Sequence, residues 1–207
     1  MPHTPFNGDT FIGDEIRKLI FRFKIKTVVE TGTWSAHTTR EFAKMCPNVI
    51  TIDATWNHLI EEFGHTAVDD LIQLGIHPVL GDSSKCLESV VFIHAKAPIL
   101  MYFDAHGGGE NNSNVNPLEA EFRQVASSWK CLDNCVIVVH DFYVPGKDFG
   151  YNWGGWGPNG EAVPLSYDVI KPWVECVYPK GHSYHYNNVA NGLQRGIIYI
   201  YPHTDKV

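Results

Sequence analysis

Short apolar runs closed by polar or acidic residues recur along this chain, separated by stretches in which apolar residues return every three or four positions. Residues 9–23 carry Ile12, Ile16, Leu19, Ile20 and Phe23 at helical spacing and predict an amphipathic helix lying against a sheet. The β-branched run at 26–30 predicts a buried strand. A glycine turn follows, then a helix over 35–45 that stops before Pro47. VITID at 49–53 predicts a second strand, and one helix is expected over 57–74, ending at Gly75. HPVLGD at 77–82 reads as a third strand, with Asp82 or Ser83 capping the helix that carries Cys86, Leu87, Val90 and Val91. Ile99–Phe103 is apolar without interruption, as expected of a strand covered on both faces of a parallel sheet. A helix over 117–129 and the strand CVIVV at 135–139 continue the alternation, which implies a right-handed, doubly wound α/β sheet.

The last third changes character. Residues 143–163 are rich in glycine and aromatics, without a period, and read as a lid or substrate loop. A helix is expected over 164–176. HSYHYN at 182–187 and GIIYIYP at 196–202 then predict an antiparallel pair at the sheet edge, turning at Asn191-Gly192. No repeat or linker divides residues 1–207, so one domain is expected.

The formal net charge of −7, with no Lys/Arg cluster, argues against a nucleic-acid partner. Ala97–Phe103 and Cys135–Val139 are too short to cross a bilayer, and the first residues have neither a basic start nor an apolar core. The five cysteines are scattered, and Cys131 and Cys135, four apart, match neither a redox pair nor a zinc knuckle. They read as reduced thiols in a reducing, cytoplasmic compartment.

In an open parallel sheet, ligands bind outside the carboxyl ends of the strands. The segment TVVETGTWSAHTT, 27–39, is a strand, a glycine turn and a helix start, an arrangement that points helix N–H groups at an anionic or polar ligand. Polar groups close five successive strands: Glu30-Thr31-Gly32, Asp53, Gly81-Asp82, Asp104-Ala105-His106 and His140-Asp141. Any one of these acids serves equally well as a helix cap or a solvated loop residue; five on one rim point to a shared crevice. Glu119 and Glu121 lie two apart on a helix, so at most one faces that crevice. Tyr151, Trp153 and Trp156 either stack on an acceptor or anchor their own loop. Arg195 reads as an ion-pair partner.

This order of motifs resembles the class I S-adenosylmethionine-dependent methyltransferases over residues 10–201. The resemblance implies a single-domain, Rossmann-like, mostly parallel seven-stranded sheet with a C-terminal antiparallel hairpin and helices on both faces. It places Glu30, Gly32 and Thr33 at the methionine part of S-adenosylmethionine and Asp53 at the ribose. Gly81, Asp82 and Ser83 fall near the adenine, and Asp104 beside the methyl-transfer centre. The chain departs from the pattern at Ala36, where a further glycine is usual. It also lacks an Asn/Asp-Pro-Pro-Tyr motif after the fourth strand, which disfavours methylation of amino groups on DNA bases or of glutamine amides.

FDAH, PLEAEF and VIVVHDF are most similar to the small-molecule O-methyltransferases of the macrocin and catechol types. That likeness implies a small-molecule or sugar hydroxyl as acceptor. It also implies Mg²⁺ or another divalent metal at Asp104, His140 and Asp141, with His106 close by. His140 stands where an oxygen ligand is common, and two His with two Asp suit Mn²⁺, Fe²⁺ or Zn²⁺ better than Mg²⁺. Alternatively His106 or His140 acts as a general base without metal. Two other readings stay open on the same fold. One is a metal-dependent hydroxylase or hydrolase, as in cephalosporin-hydroxylase-like sequences. The other is a non-catalytic binding relative.

Overall fold

The structure is a computed structural model that describes residues 4–105, 117–154 and 161–203. His106 and Trp156 lie outside the described residues. A 3-10 turn at Pro5–Gly8 leads into helix α1, Thr10–Phe23, whose N-terminus is capped by Asp9 accepting from the Phe11 N–H at 2.9 Å. Five strands follow, β1 (Thr27–Thr31), β2 (Val49–Asp53), β3 (Ile76–Leu80), β4 (Ile99–Phe103) and β5 (Cys135–Val139). Between them run α2 (His37–Met45), α3 (Asn57–Phe63), α4 (Ala67–Gln73), α5 (Ser83–His94) and α6 (Leu118–Ser127). The short strands β6 (Trp153–Gly154) and β7 (Val163–Pro164), helix α7 (Tyr167–Val177), β8 (His182–Tyr186) and β9 (Ile198–Pro202) complete the order.

Among the described residues the main sheet has seven strands in the order β3-β2-β1-β4-β5-β9-β8. The first five are mutually parallel, and β9 runs antiparallel to both β5 and β8. The strand order reverses between β1 and β4, so the crevice of this sheet type opens at their carboxyl ends. The central strands alternate two buried faces. Val29, Met101, Phe103, Ile137 and Val139 pack with α5, α6 and α7, while Val28, Leu100, Tyr102, Val136 and Val138 pack with α1, α2 and α4. Burial on both sides explains why these strands are written as unbroken apolar runs.

One expectation needs correction. The single helix expected over 57–74 is two, because Gly64 stops α3 with φ of 85° and ψ of 178°, which no helix accommodates. The expected antiparallel pair is present at the sheet edge, with Asn191-Gly192 inside its connection. The connection from β8 to β9 spans eleven residues, 187–197, and docks onto the chain's amino end. Asn191 Oδ1 accepts from the Thr10 N–H at 2.9 Å, and the Leu193 N–H donates to Asn7 O at 3.0 Å. A Cβ at Gly192 would lie 2.3 Å from Asn7 O, so the close approach itself demands glycine. The aperiodic stretch 143–163 contributes the β6–β7 pair, and the helix after it begins at Tyr167.

Candidate active site

The β1–α2 turn forms the floor of the rim. Gly32 has φ of +82°, and a Cβ there would meet Asp104 O at 2.7 Å and Ala105 N at 2.9 Å. Only glycine lets the end of β1 lie this close to the end of β4. Trp34, also at positive φ, donates its N–H to Asp53 Oδ2 at 2.9 Å, and the Thr55 N–H donates to Asp53 Oδ1 at 3.1 Å. Burial raises the Asp53 pKa while these donors oppose the rise. The Trp34 indole, half exposed, stacks on His58 with ring centroids 3.6 Å apart.

Glu30 is fully buried on the α2 side of the sheet. Its Oε2 accepts from Thr51 Oγ1 at 2.7 Å and from Thr39 Oγ1, and the Thr33 and Thr51 hydroxyls lie 2.6 Å apart. Burial pushes Glu30 up to about 8, the threonine donors pull against it, and nearby Asp104 and Asp53 add to the rise. Asp82 accepts from the Ser84 N–H at 3.0 Å and pairs with Lys85 at 2.7 Å. It is therefore the cap of α5, with a pKa lowered by that lysine. Ser83 is buried in the first turn of the same helix.

Asp104, His140 and Asp141 come together where β4 and β5 end side by side. His140 Nδ1 lies 3.1 Å from Asp104 Oδ1 and 3.3 Å from Asp141 Oδ1, and the imidazole is buried. Burial lowers the His140 pKa, but the Asp104 and Asp141 carboxylates outweigh it and lift the value to about 9. Asp141 sits at φ of +52°, a strained conformation for a non-glycine residue, held by the Asn152 N–H donating to its carbonyl at 2.7 Å. Arg195 Nε, from the β8–β9 connection, approaches Asp141 Oδ1 at 3.5 Å, which bears out the ion-pair reading. One ligand atom from each of Asp104, His140 and Asp141 falls within 4.8 Å of the others, so two carboxylates and an imidazole can share one ion.

Of the two acids on α6, Glu119 is at the surface and pairs with Arg123 at 2.6 Å. Glu121 is fully buried on the opposite side of the helix. Burial lifts its pKa to about 7, against the lowering effect of the nearby Ser83 and Thr31 hydroxyls. The two-residue spacing leaves open which acid turns inward, and the structure turns Glu121 in. The signal was there, since Glu121 interrupts the apolar stripe Leu118, Phe122 and Val125, where a carboxylate has no packing reason to stand.

The rim thus brings together Glu30, Gly32, Thr33, Asp53, Asp104, His140 and Asp141, with Asp82 and Ser83 one strand further out. A wide groove of about 530 Å³ lies elsewhere, among α2, α3 and α4, and its lining of His37, Arg40, Phe63, Asp70, Gln73 and Leu74 includes none of these residues.

No family model matches the sequence, and no curated protein matches it. Solved structures do match. An O-methyltransferase from Bacillus cereus in complex with SAH is 14% identical, with 93% of this chain and 81% of that one covered and a TM-score of 0.55. CalS10 from Micromonospora echinaspora, an amino pentose methyltransferase with SAM bound, is 12% identical over 92% of this chain and 89% of its own, with a TM-score of 0.56. TomG from Streptomyces achromogenes, an O-methyltransferase in complex with SAM, is 13% identical over 92% and 79%, with a TM-score of 0.55. This chain has the methyltransferase fold. The expected seven-stranded, mostly parallel sheet with its C-terminal antiparallel hairpin is borne out. Within that methyltransferase fold, the Asp104–His140–Asp141 cluster sits beside the glycine turn of β1.

Proposed function

We propose that the protein is an enzyme that transfers a methyl group from S-adenosylmethionine to a hydroxyl of a small molecule or sugar. The observation that carries this reading is the placement of Asp104 against both the Gly32 turn and His140-Asp141, at the topological switch point of a methyltransferase fold.

The residues present fit both groups that the reaction calls for. Gly32 lets the end of β1 lie against the Asp104 and Ala105 backbone, which brings the two strand ends to one rim. Thr33, Asp53 and Ser83 offer polar groups along the rim, and Asp104, His140 and Asp141 supply two oxygens and a nitrogen to a divalent cation. When bound, S-adenosylmethionine supplies an electrophilic methyl, and a divalent cation lowers the pKa of an acceptor hydroxyl.

The protein's own residues do the rest. With a pKa of about 9 in the absence of metal, His140 is protonated at neutral pH and holds Asp104 and Asp141 through Nδ1. Accepting the hydroxyl proton then falls to an oxygen of Asp104, and His140 loses its proton only where a cation takes that nitrogen. Holding acceptor and methyl in line can account for about 7–11 kcal/mol of the barrier. Residues 143–154, tied at Asp141 O by the Asn152 N–H and at Leu165 by the Tyr143 N–H, form one wall for the acceptor.

The imidazole in the donor set favours one rival, a metal-dependent oxidation or hydrolysis at the same cluster. Incubation with methyl-labelled S-adenosylmethionine and a panel of phenols, sugars and macrolides, with and without Mg²⁺ or Mn²⁺, separates the two. Label transferred to a hydroxyl supports the proposal. Metal-dependent turnover without any label transfer supports the rival.

A further inference from the structure

Arg195 stands in the β8–β9 connection with its main chain held from two sides. The Gly150 N–H donates to Gln194 O and the Gly196 N–H to Gly150 O, both at 2.8 Å. Asn187, itself buried, donates from Nδ2 to Arg195 O at 3.0 Å and accepts the Ile197 N–H on Oδ1 at 2.8 Å. The guanidinium is therefore carried on a fixed stem. Gly150 makes room for it: a Cβ there would lie 3.1 Å from both Arg195 Cδ and Arg195 Nη1, so the side chain rests on the backbone of the 143–154 wall.

This seat leaves the donors unfilled. Arg195 Nε is buried with no hydrogen-bond partner among the described residues, and Asp141 Oδ1, at 3.5 Å, lies beyond hydrogen-bond length and also faces His140. The side chain is nevertheless 36% exposed, so an anion can reach it from the open side of the rim. A guanidinium presents five N–H donors in a rigid fork, and it keeps its charge at any working pH. Because one oxygen of Asp141 faces both His140 and Arg195, an anion on the fork sits only a few bonds from a hydroxyl presented to the Asp104–His140–Asp141 cluster.

We propose that Arg195 reads a carboxylate on the acceptor, so that the substrate is a hydroxy acid whose carboxylate lies within a few bonds of the hydroxyl that receives the methyl. This rests on the methyltransferase reading above and narrows its acceptor class. The planar fork matches carboxylate geometry, and hydrogen bonds between charged partners are about twice as strong as neutral ones. Asp53, Asp104 and Asp141 disfavour a carboxylate elsewhere along the rim, so Arg195 fixes the acceptor's orientation as well as its class.

The test uses the full-length, metal-free protein and calorimetry at pH 7. S-adenosylhomocysteine is titrated first, then 3-hydroxybenzoate or its neutral counterpart 3-hydroxybenzamide. The wild type is expected to favour the acid by roughly 10–100-fold. Arg195→Met is expected to narrow that ratio to within about threefold by removing the charge-assisted hydrogen bonds. Gly150→Ala, which displaces the guanidinium without deleting it, is expected to narrow the ratio too, and it decides the matter if Arg195→Met fails to fold. An Arg195 that serves only as the ion-pair partner of Asp141 would weaken both probes alike and leave the ratio unchanged, which overturns the proposal. A wild type that binds S-adenosylhomocysteine but shows no preference for the acid, or binds neither probe, overturns the proposal and leaves the methyltransferase reading intact. A wild type that does not bind S-adenosylhomocysteine overturns both.

Discussion

Arg195 Nε lies 3.5 Å from Asp141 Oδ1, the same oxygen that faces His140 Nδ1 at 3.3 Å. One carboxylate oxygen is thus shared by an imidazole from its own strand end and a guanidinium from the β8–β9 connection. The positive charge of Arg195 depresses the His140 pKa, while the two carboxylates raise it. Replacing Arg195 with Met removes the depressing charge and leaves the carboxylates in place. The His140 pKa in the metal-free protein is expected to rise above its wild-type value of about 9. An NMR titration of the imidazole nitrogens checks this, and a fall would mean that Arg195 holds Asp141 against His140 rather than competing with it.

Cation binding should be lost at either end of the pair. His140→Ala removes one donor of the three-residue cluster, and Asp104→Asn replaces a charged oxygen donor with a neutral one. Each is expected to abolish saturable Mn²⁺ binding and to lower kcat for methyl transfer by about 10²–10⁴. Mn²⁺ titration followed by electron paramagnetic resonance reads the first effect, and label transfer reads the second.

The pH dependence of stability has a definite sign. Glu30 and Glu121 have folded pKa values of about 8 and about 7 against an ordinary 4.5, and His140 about 9 against 6.5. Each folded pKa is raised, so each folded group holds its proton more tightly than the unfolded chain does. The resulting stabilisation is complete below the unfolded value and is lost as pH rises through the folded one. The metal-free protein should therefore lose stability steadily from about pH 5 to pH 9. Glu30→Gln, which needs no ionisation and keeps an acceptor for Thr39 and Thr51, should be more stable than wild type at pH 9, by roughly 2–4 kcal/mol. Urea unfolding at pH 5, 7 and 9 measures it.

Gly32 and Gly75 offer a matched comparison, since both have positive φ, +82° and +78°. Space is open around Gly75, whereas a Cβ on Gly32 meets the backbone of Asp104 and Ala105. Gly75→Ala should cost only the backbone strain, about 1–2 kcal/mol. Gly32→Ala should cost more and should also displace Asp104, so that cofactor and cation binding fall together. Equal losses in the two variants would show that the contact with Asp104 does not constrain the site.

The strands were legible because the runs at β1, β4 and β5 are buried on both faces, and a buried parallel strand is written in consecutive apolar residues. The acids at their ends were legible for the same reason, since each interrupts such a run. The break at Gly64 is masked in the sequence because Leu59 and Leu71 keep up a helical apolar pattern across it, and only its backbone angles reveal it. Asn191-Gly192 carried a hairpin signal, but the asparagine side chain is used on Thr10, about 180 residues away in sequence, a contact no local pattern encodes. Arg195 and Asp141 meet for the same kind of reason. Their approach depends on how the β8–β9 connection docks, which is a property of the assembled sheet.

The central claim is that the carboxyl ends of β1, β2 and β4 form one site for an S-adenosyl compound. Calorimetric titration of the wild-type protein with S-adenosylhomocysteine tests it most directly. The account predicts saturable one-to-one binding that Gly32→Ala abolishes and Gly75→Ala leaves unchanged. Absence of any heat of binding for S-adenosylhomocysteine, in a folded protein that still binds Mn²⁺, would contradict it.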